Sequence, residues 1–293
     1  SGWSIRMDLT IKPLTPRLGA LISGVDIGRA ISDDVFGQIR AAFEQHSVLV
    51  FSDQPMDDAR QIAFSERFGP LERTVPSNPA AGSVFARQSN IDINTGEAIP
   101  VDDRRMLYQK ANMLWHADST FKETQSLCSI LSAREVPPLG GATEFASTRA
   151  LYDELPAWLR EEIEDLEVEH DLVYSRRIVG FEFTDDEAAA MPSAHHRLVQ
   201  INPVTGRKSL LIGAHAKCVI GWPESRSREL LDDLLERTTK SVNCYRHEWK
   251  TNDVVVWDNR SILHRATPYD ASKYRRLMQR TTVSFAAQTT CSR

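Results

Sequence analysis

Apolar positions in the first third of the chain follow a helical period. Val35, Phe36, Ile39, Ala42 and Phe43 recur behind Ser32-Asp33, and Ala59, Ile62, Ala63 and Phe64 behind Asp57. Both runs predict amphipathic helices with polar caps, the second closed by Gly69, and both are expected to cover a sheet. Upstream, Gly19, Gly24 and Gly28 punctuate short strands and turns over 9–31. Between the helices, Val48-Leu49-Val50-Phe51 reads as a short buried strand.

Downstream the period shortens. Strands are predicted at Leu127–Ala133, Ala142–Ala146, Val168–Tyr174, 242–247, 253–258 and 276–285, and a hairpin joins Leu198–Ile201 to Ser209–Ile212 across Asn202–Arg207. Helices are predicted behind a Thr148 cap, from Pro156 through Leu159, Ile163 and Leu166, and over Pro223–Arg237 with Leu230, Leu231, Leu234 and Leu235. Short strands joined by turns, with helices outside, predict a β-rich α+β fold whose core is a double-stranded β-helix, or jelly roll. Two stretches break the pattern. Residues 70–111 are rich in turn residues and are expected to be irregular, forming a lid over an active site. Residues 176–196 are polar and are expected to be an irregular insertion, with His195 and His196 in solvent.

One elaborated domain over 1–293 is expected, with 1–8 as a tag or tail, Ser1-Gly2 a cloning scar and Met7 a native start. At 41% hydrophobic and 26% charged the composition is that of a globular protein. The net charge of −5, without a basic block, argues against nucleic acid or an anionic membrane surface as partner. No apolar run approaches the ~20 residues that span a bilayer. Cys128, Cys218, Cys244 and Cys291 form no Cys-x-x-Cys pair and read as free thiols of a cytoplasmic protein.

The candidate chemistry begins in Trp115-His116-Ala117-Asp118. On extended backbone, residues two apart point the same way, so His116 and Asp118 can meet one metal ion. The pair alone is equally compatible with a core histidine and a capping aspartate. A third donor, His264, follows the apolar strand and polar turn of 254–261. Two histidines and one carboxylate leave open coordination positions and suit non-haem Fe(II) oxygenase chemistry. Arg276, Met278 and Arg280 share one face of the next strand. Two guanidiniums side by side call for anions: either surface carboxylates in salt bridges, the usual case for strand arginines, or a bound 2-oxo dicarboxylate, which offers a carboxylate for an arginine and a 2-oxo acid end for a metal.

These segments, in this order, resemble the Fe(II)/2-oxoglutarate-dependent dioxygenases of the taurine dioxygenase and 2,4-dichlorophenoxyacetate dioxygenase family. The landmarks are Val48–Phe51, Phe68-Gly69-Pro70-Leu71-Glu72, Trp115–Asp118, Pro137-Pro138-Leu139-Gly140-Gly141-Ala142-Thr143, Trp257-Asp258-Asn259-Arg260 and the arginine strand. The resemblance covers about residues 10–285 and implies a clavaminate synthase-like jelly roll with Fe(II), 2-oxoglutarate and O2 as cofactor and cosubstrates. It implies His116, Asp118 and His264 as iron ligands, and Thr143 with Arg276, rather than Arg275, on the distal carboxylate of 2-oxoglutarate. Arg280 would meet the other end of 2-oxoglutarate or a substrate anion. Trp257 would line the metal pocket, and Asn112 and His215 would contact substrate. Because Asp118 is present, a halogenase is disfavoured.

Asn112–His116, Ser209–Ala216 and Tyr245–Trp249 resemble the phenoxyalkanoate branch, which implies a small anionic aryloxyalkanoate ether cleaved to a phenol and an oxo acid, with succinate and CO2 released. Other readings within the family are a taurine, alkyl-sulfonate or alkyl-sulfate dioxygenase, or another carboxylate hydroxylase. A homo-oligomer, dimer or tetramer, is carried over as an expectation. Outside the family, a zinc hydrolase shares the donor set, but gives Arg276 and Thr143 no task. A non-catalytic jelly-roll binding module has no need of all three donors.

Overall fold

The computed structural model describes residues 9–74 and 83–285. Val48–Phe51 and Val254–Asp258 are adjacent antiparallel strands at the centre of a seven-stranded sheet. Ser126–Glu135 and Leu277–Ser284 continue the sheet on one side and Phe85–Ser89 closes that edge. Ala20–Ser23 and Thr10–Pro13 form the other side. Both central strands are buried, as expected, and on both faces. Val48, Val50, Val255 and Trp257 face an inner core with Leu131, Phe145 and Met278. Leu49, Phe51, Val254 and Val256 face an outer core under the two N-terminal helices. Every second residue packs on each side, so no polar position interrupts the run.

Those helices are Asp33–His46 and Asp58–Glu66, capped by Ser32 and Asp57 as expected. Opposite the large sheet lies a three-stranded one in the order Cys244–His247, Thr143–Ser147, Ile262–Ala266. The two sheets enclose the inner core, giving the double-stranded β-helix. A further sheet, Ala216–Val219, Glu167–His170 and Ala194–Arg197, packs with the helix Glu224–Thr238 around Leu230, Leu231 and Leu234.

Several expectations need correction. The strand expected over Val168–Tyr174 ends at His170, because Asp171 accepts from the backbone N–H of Val173 and Tyr174 and starts a helix over Leu172–Ile178. The stretch 176–196 is not irregular. It holds the end of that helix, a second helix at Asp185–Ala189 with a Thr184/Glu187 capping box, and the strand start at Ala194. Phe181, Phe183 and Met191 anchor it in a small core with Tyr108, Leu172 and Val173. His195 is exposed, as expected, but His196 is buried, with Nε2 2.8 Å from the Lys122 carbonyl.

The stretch 70–111 likewise carries the edge strand Phe85–Ser89 and the helix Arg104–Lys110, while 75–82 lie outside the described residues. The cap expected at Thr148 is supplied by Ser147, one residue earlier, whose hydroxyl accepts from Ala150 N. Residues 241–243 form a single 3-10 turn before the strand that was expected from 242. Among the described residues, no helix is long and apolar enough to cross a membrane. Cys128, Cys218 and Cys244 are free thiols, and Cys291 lies outside the described residues.

Candidate active site

His116 does not sit in a full strand. It forms one antiparallel bridge with His264, donating from N to the His264 carbonyl at 3.1 Å and accepting from His264 N at 2.8 Å. Directly opposed residues of an antiparallel pair project to the same face. Two histidines far apart in sequence are thereby placed with ring centroids 4.2 Å apart. Two residues on, Asp118 Oδ1 lies 3.6 Å from Nε2 of each ring. All three donors are buried, and one ligand atom from each falls within 4.8 Å of the others. The i, i+2 spacing therefore does what the sequence suggests, from a one-residue bridge.

The donor states suit a metal. His116 Nδ1 is 2.6 Å from the Leu114 carbonyl, which favours the proton on Nδ1 and leaves the Nε2 lone pair to face Asp118. His264 Nε2 is buried with no hydrogen-bond partner among the described residues, a costly arrangement unless something ligates it. Burial holds both imidazoles below their ordinary pKa, strongly for His264, so they are neutral at pH 7. Burial opposes charge on Asp118, but Arg280 and the two histidines outweigh it and hold the carboxyl well below the usual range. Neutral imidazoles and an ionised carboxylate are the forms that bind cations.

Asp118 is clamped from behind. Its Oδ2 accepts from Ser129 Oγ at 2.6 Å, its Oδ1 from Arg280 Nη1 at 2.9 Å, and its backbone N donates to Asn259 Oδ1 at 3.1 Å. Asn259 also accepts from Trp257 Nε1 and donates to Ser126 and Ser129, which satisfies the amide completely. The Trp257 ring is fully buried, 4.5 Å from that of His264. Arg260 pairs with Asp258 and Glu44 in the interior, fastening the turn before His264 to the first helix. On the far side of His116, Gly213 has φ +115°, and a Cβ there would lie 3.0 Å from the Trp115 carbonyl oxygen and 3.1 Å from His116 Cα. Gly213→Ala is expected to lower stability by about 1–3 kcal/mol through strain and crowding, and to weaken metal binding by displacing His116. Urea denaturation and a metal titration check this, and an unchanged midpoint and affinity would refute it.

Arg276 precedes its strand and is buried. Its Nη atoms reach only the carbonyls of Gln88 and Gly141, both at 3.3 Å, and its Nε has no partner among the described residues. Burial pushes its pKa down to about 10. A Cβ on Gly141 would come within 3.3 Å of that Nε, so the Gly140-Gly141 turn is the wall of the slot. Asn90, fully buried, fixes the backbone at both ends by bonding Arg276 N and the carbonyls of Ala271 and Tyr274. Arg275, by contrast, is exposed and pairs with Glu135. Thr143 Oγ1 accepts from Trp249 Nε1 at 2.9 Å, which leaves its own proton to donate elsewhere. A buried guanidinium with no carboxylate partner among the described residues fits an incoming carboxylate.

The cavity in front of the donors is lined by Asn112, His116, Asp118, His215 and Arg280, all read from the sequence. His215 is buried, its Nδ1 2.9 Å from Ser175 Oγ, with its ring edge-on to Phe121 and His116. Tyr108, Phe121, Leu172 and Arg176 complete the wall and were not singled out in the sequence. Tyr108 and Phe121 flank the donor segment and could have been flagged as aromatics. Arg176 carries no sequence signal of its own.

A jelly roll that gathers two histidines and an aspartate, with a buried arginine lacking a carboxylate partner among the described residues in the adjoining hollow, has the parts of a non-haem iron oxygenase that uses a 2-oxo acid. The family model described as taurine catabolism dioxygenase TauD, TfdA family matches residues 10–282. A 2,4-dichlorophenoxyacetate dioxygenase dependent on alpha-ketoglutarate, from Cupriavidus pinatubonensis, is 39% identical across 96% of this chain and 99% of its own. A (S)-phenoxypropionate/alpha-ketoglutarate-dioxygenase from Sphingobium herbicidovorans is 37% identical across 90% of this chain and 91% of its own. The crystal structure of AAD-2 in complex with Mn(II) and N-oxalylglycine superposes with a TM-score of 0.88 at 38% identity, covering 95% of this chain and 97% of that one. The chain belongs to the TauD/TfdA family and is an Fe(II)- and 2-oxoglutarate-dependent dioxygenase.

Proposed function

We propose that the enzyme hydroxylates an aryloxyalkanoate at the carbon beside the ether oxygen. One oxygen of O2 enters that carbon and the other enters succinate, with loss of CO2 from 2-oxoglutarate. The resulting hemiacetal collapses to a phenol and an oxo acid. The observation that carries the dioxygenase half is the orphaned, buried Nε2 of His264 facing Asp118 and His116, together with Arg276 in the adjoining hollow, a cation with no carboxylate partner among the described residues. The relatives named for dichlorophenoxyacetate and phenoxypropionate support the substrate class.

His116, Asp118 and His264 hold Fe(II), which when bound supplies the O2 activation coupled to decarboxylation of the 2-oxo acid. Arg276 and Thr143 take the distal carboxylate of 2-oxoglutarate. Trp257 packs the metal pocket and excludes water from one side. Arg280, already on Asp118, shares its remaining donors with 2-oxoglutarate or with substrate. Asn112 and His215 face the substrate. The chain acts as one dioxygenase domain, and the described parts of 70–111 cover the substrate, a role supported by Glu72, Gln88 and Tyr108 in the cavity wall. Free thiols support a cytoplasmic setting, and a dimer or tetramer follows from the family resemblance alone.

The test is a panel of aryloxy acids, sulfonates and alkyl sulfates, scored by substrate-dependent succinate release under Fe(II), ascorbate and air. Aryloxyacetates or aryloxypropionates are expected to release succinate and a phenol in equal amounts. Turnover confined to sulfonates or sulfates would overturn the substrate class while leaving the dioxygenase assignment in place.

A further inference from the structure

Among the described residues, the cations around the active-site cavity have carboxylates or other recorded partners near them, with one exception. Arg280 is on Asp118, and Lys122 is on Glu72 at 2.8 Å. Arg87, whose Nε also lacks a hydrogen-bond partner among the described residues, lies in the field of three carboxylates, Asp58, Asp92 and Glu135, and Arg73 is engaged as well. Arg176 is the exception. It is 8% exposed, its Nε has no hydrogen-bond partner among the described residues, and its guanidinium lies 4.2 Å from the centroid of the Tyr108 ring.

Its placement follows from the local sequence. Asp171 starts the helix Leu172–Ile178, and Leu172 and Arg176, one turn apart, both border the cavity. Stacking on Tyr108 occupies the face of the guanidinium, and a stacked guanidinium presents its N–H edge, the geometry for a bidentate carboxylate. Arg276 belongs to a different hollow, lined by Tyr269, Ala271 and Met106, in which Arg176 has no part. The two hollows adjoin, sharing Gln88, Gln109 and Asn112, and each is bordered by its own buried cation.

We infer that Arg176 is the substrate-recognition residue that binds the carboxylate of the acid to be hydroxylated, with the aromatic part held by Phe121, Leu172 and the His215 ring. A carboxylate fixed on Arg176 leaves the adjoining carbon to face His116 and Asp118. The inference rests on the substrate reading given above.

It is tested with Fe(II)-loaded enzyme, using phenoxyacetate and its uncharged carboxamide as probes. Arg176→Met is expected to raise KM for phenoxyacetate about 100-fold, equivalent to about 2.7 kcal/mol, with a much smaller change in kcat. KM for 2-oxoglutarate and the visible charge-transfer absorption of the Fe(II)–2-oxoglutarate complex are expected to stay at wild-type values. The carboxamide is expected to be turned over equally by variant and wild type, and Arg176→Lys to recover part of the lost affinity. An unchanged KM for phenoxyacetate, or a rise in KM for 2-oxoglutarate in its place, would overturn it. Failure of the substrate reading is a separate result, visible in the wild type as no turnover of any aryloxy acid. In that event the ratio of variant to wild-type KM for whichever anion is turned over still decides the role of Arg176.

Discussion

Asp118→Ala is expected to abolish turnover, cutting substrate-dependent succinate release at least about 1,000-fold, in line with the several kcal/mol a bound metal supplies. The carboxylate is the only anionic member of the donor set and the point both imidazoles face at 3.6 Å. Without it two neutral rings are left to hold a dication, with the Arg280 guanidinium released beside them. The variant is also expected to lose the thermal stabilisation that Fe(II), added anaerobically, gives the wild type. For a ligand at 100 times its Kd that stabilisation is about 2.7 kcal/mol. Succinate release at wild-type rate, or an undiminished metal-dependent shift in Tm, would refute the assignment of Asp118.

The second large effect is at Arg276. Arg276→Met is expected to raise KM for 2-oxoglutarate about 100- to 1,000-fold, the scale for truncating one partner of a buried, hydrogen-bonded charge pair. Unlike the loss at Asp118, this one is expected to be recoverable at high 2-oxoglutarate, with metal binding unaffected. The stability effect has the opposite sign to most core substitutions. Before 2-oxoglutarate binds, Arg276 is a buried charge satisfied only by two long bonds to carbonyls, so its apolar replacement is expected to leave Tm of the free protein unchanged or higher. A drop in Tm with unaltered KM would mean that Arg276 is structural.

The parts of this molecule that were legible in the sequence are those where physics is local. The apolar tetrads at 48–51 and 254–257 announce buried strands, and Ser32 and Asp57 announce helix starts. The spacing of His116 and Asp118 announces a shared target. What sequence could not supply is the bridge between His116 and His264, a long-range pairing with no local trace.

Polarity misled where a site, rather than solvent, was the reason for it. The turn residues of 70–111 made that stretch read as irregular, and Gln88 and Ser89, polar yet buried in a strand that borders the catalytic cavity, left no apolar run to offset them. Ser175 and Arg176 are polar on the buried side of a seven-residue helix, which hid both the helix and the residue inferred to select the substrate. His196 looked solvated for the same reason, since its buried partner is a carbonyl far away in the chain.

The packing of Tyr108 against Phe181 and Phe183 carries one more consequence. The wall bearing Arg176 is held by this miniature core of its own, while His264 and Asp118 are held by a strand and by the Ser129–Asn259 clamp. Chemistry and choice of acid therefore rest on separate foundations. Drift in one annex can retune what is accepted without loosening the ferrous anchorage, which is how a single scaffold comes to serve many diets.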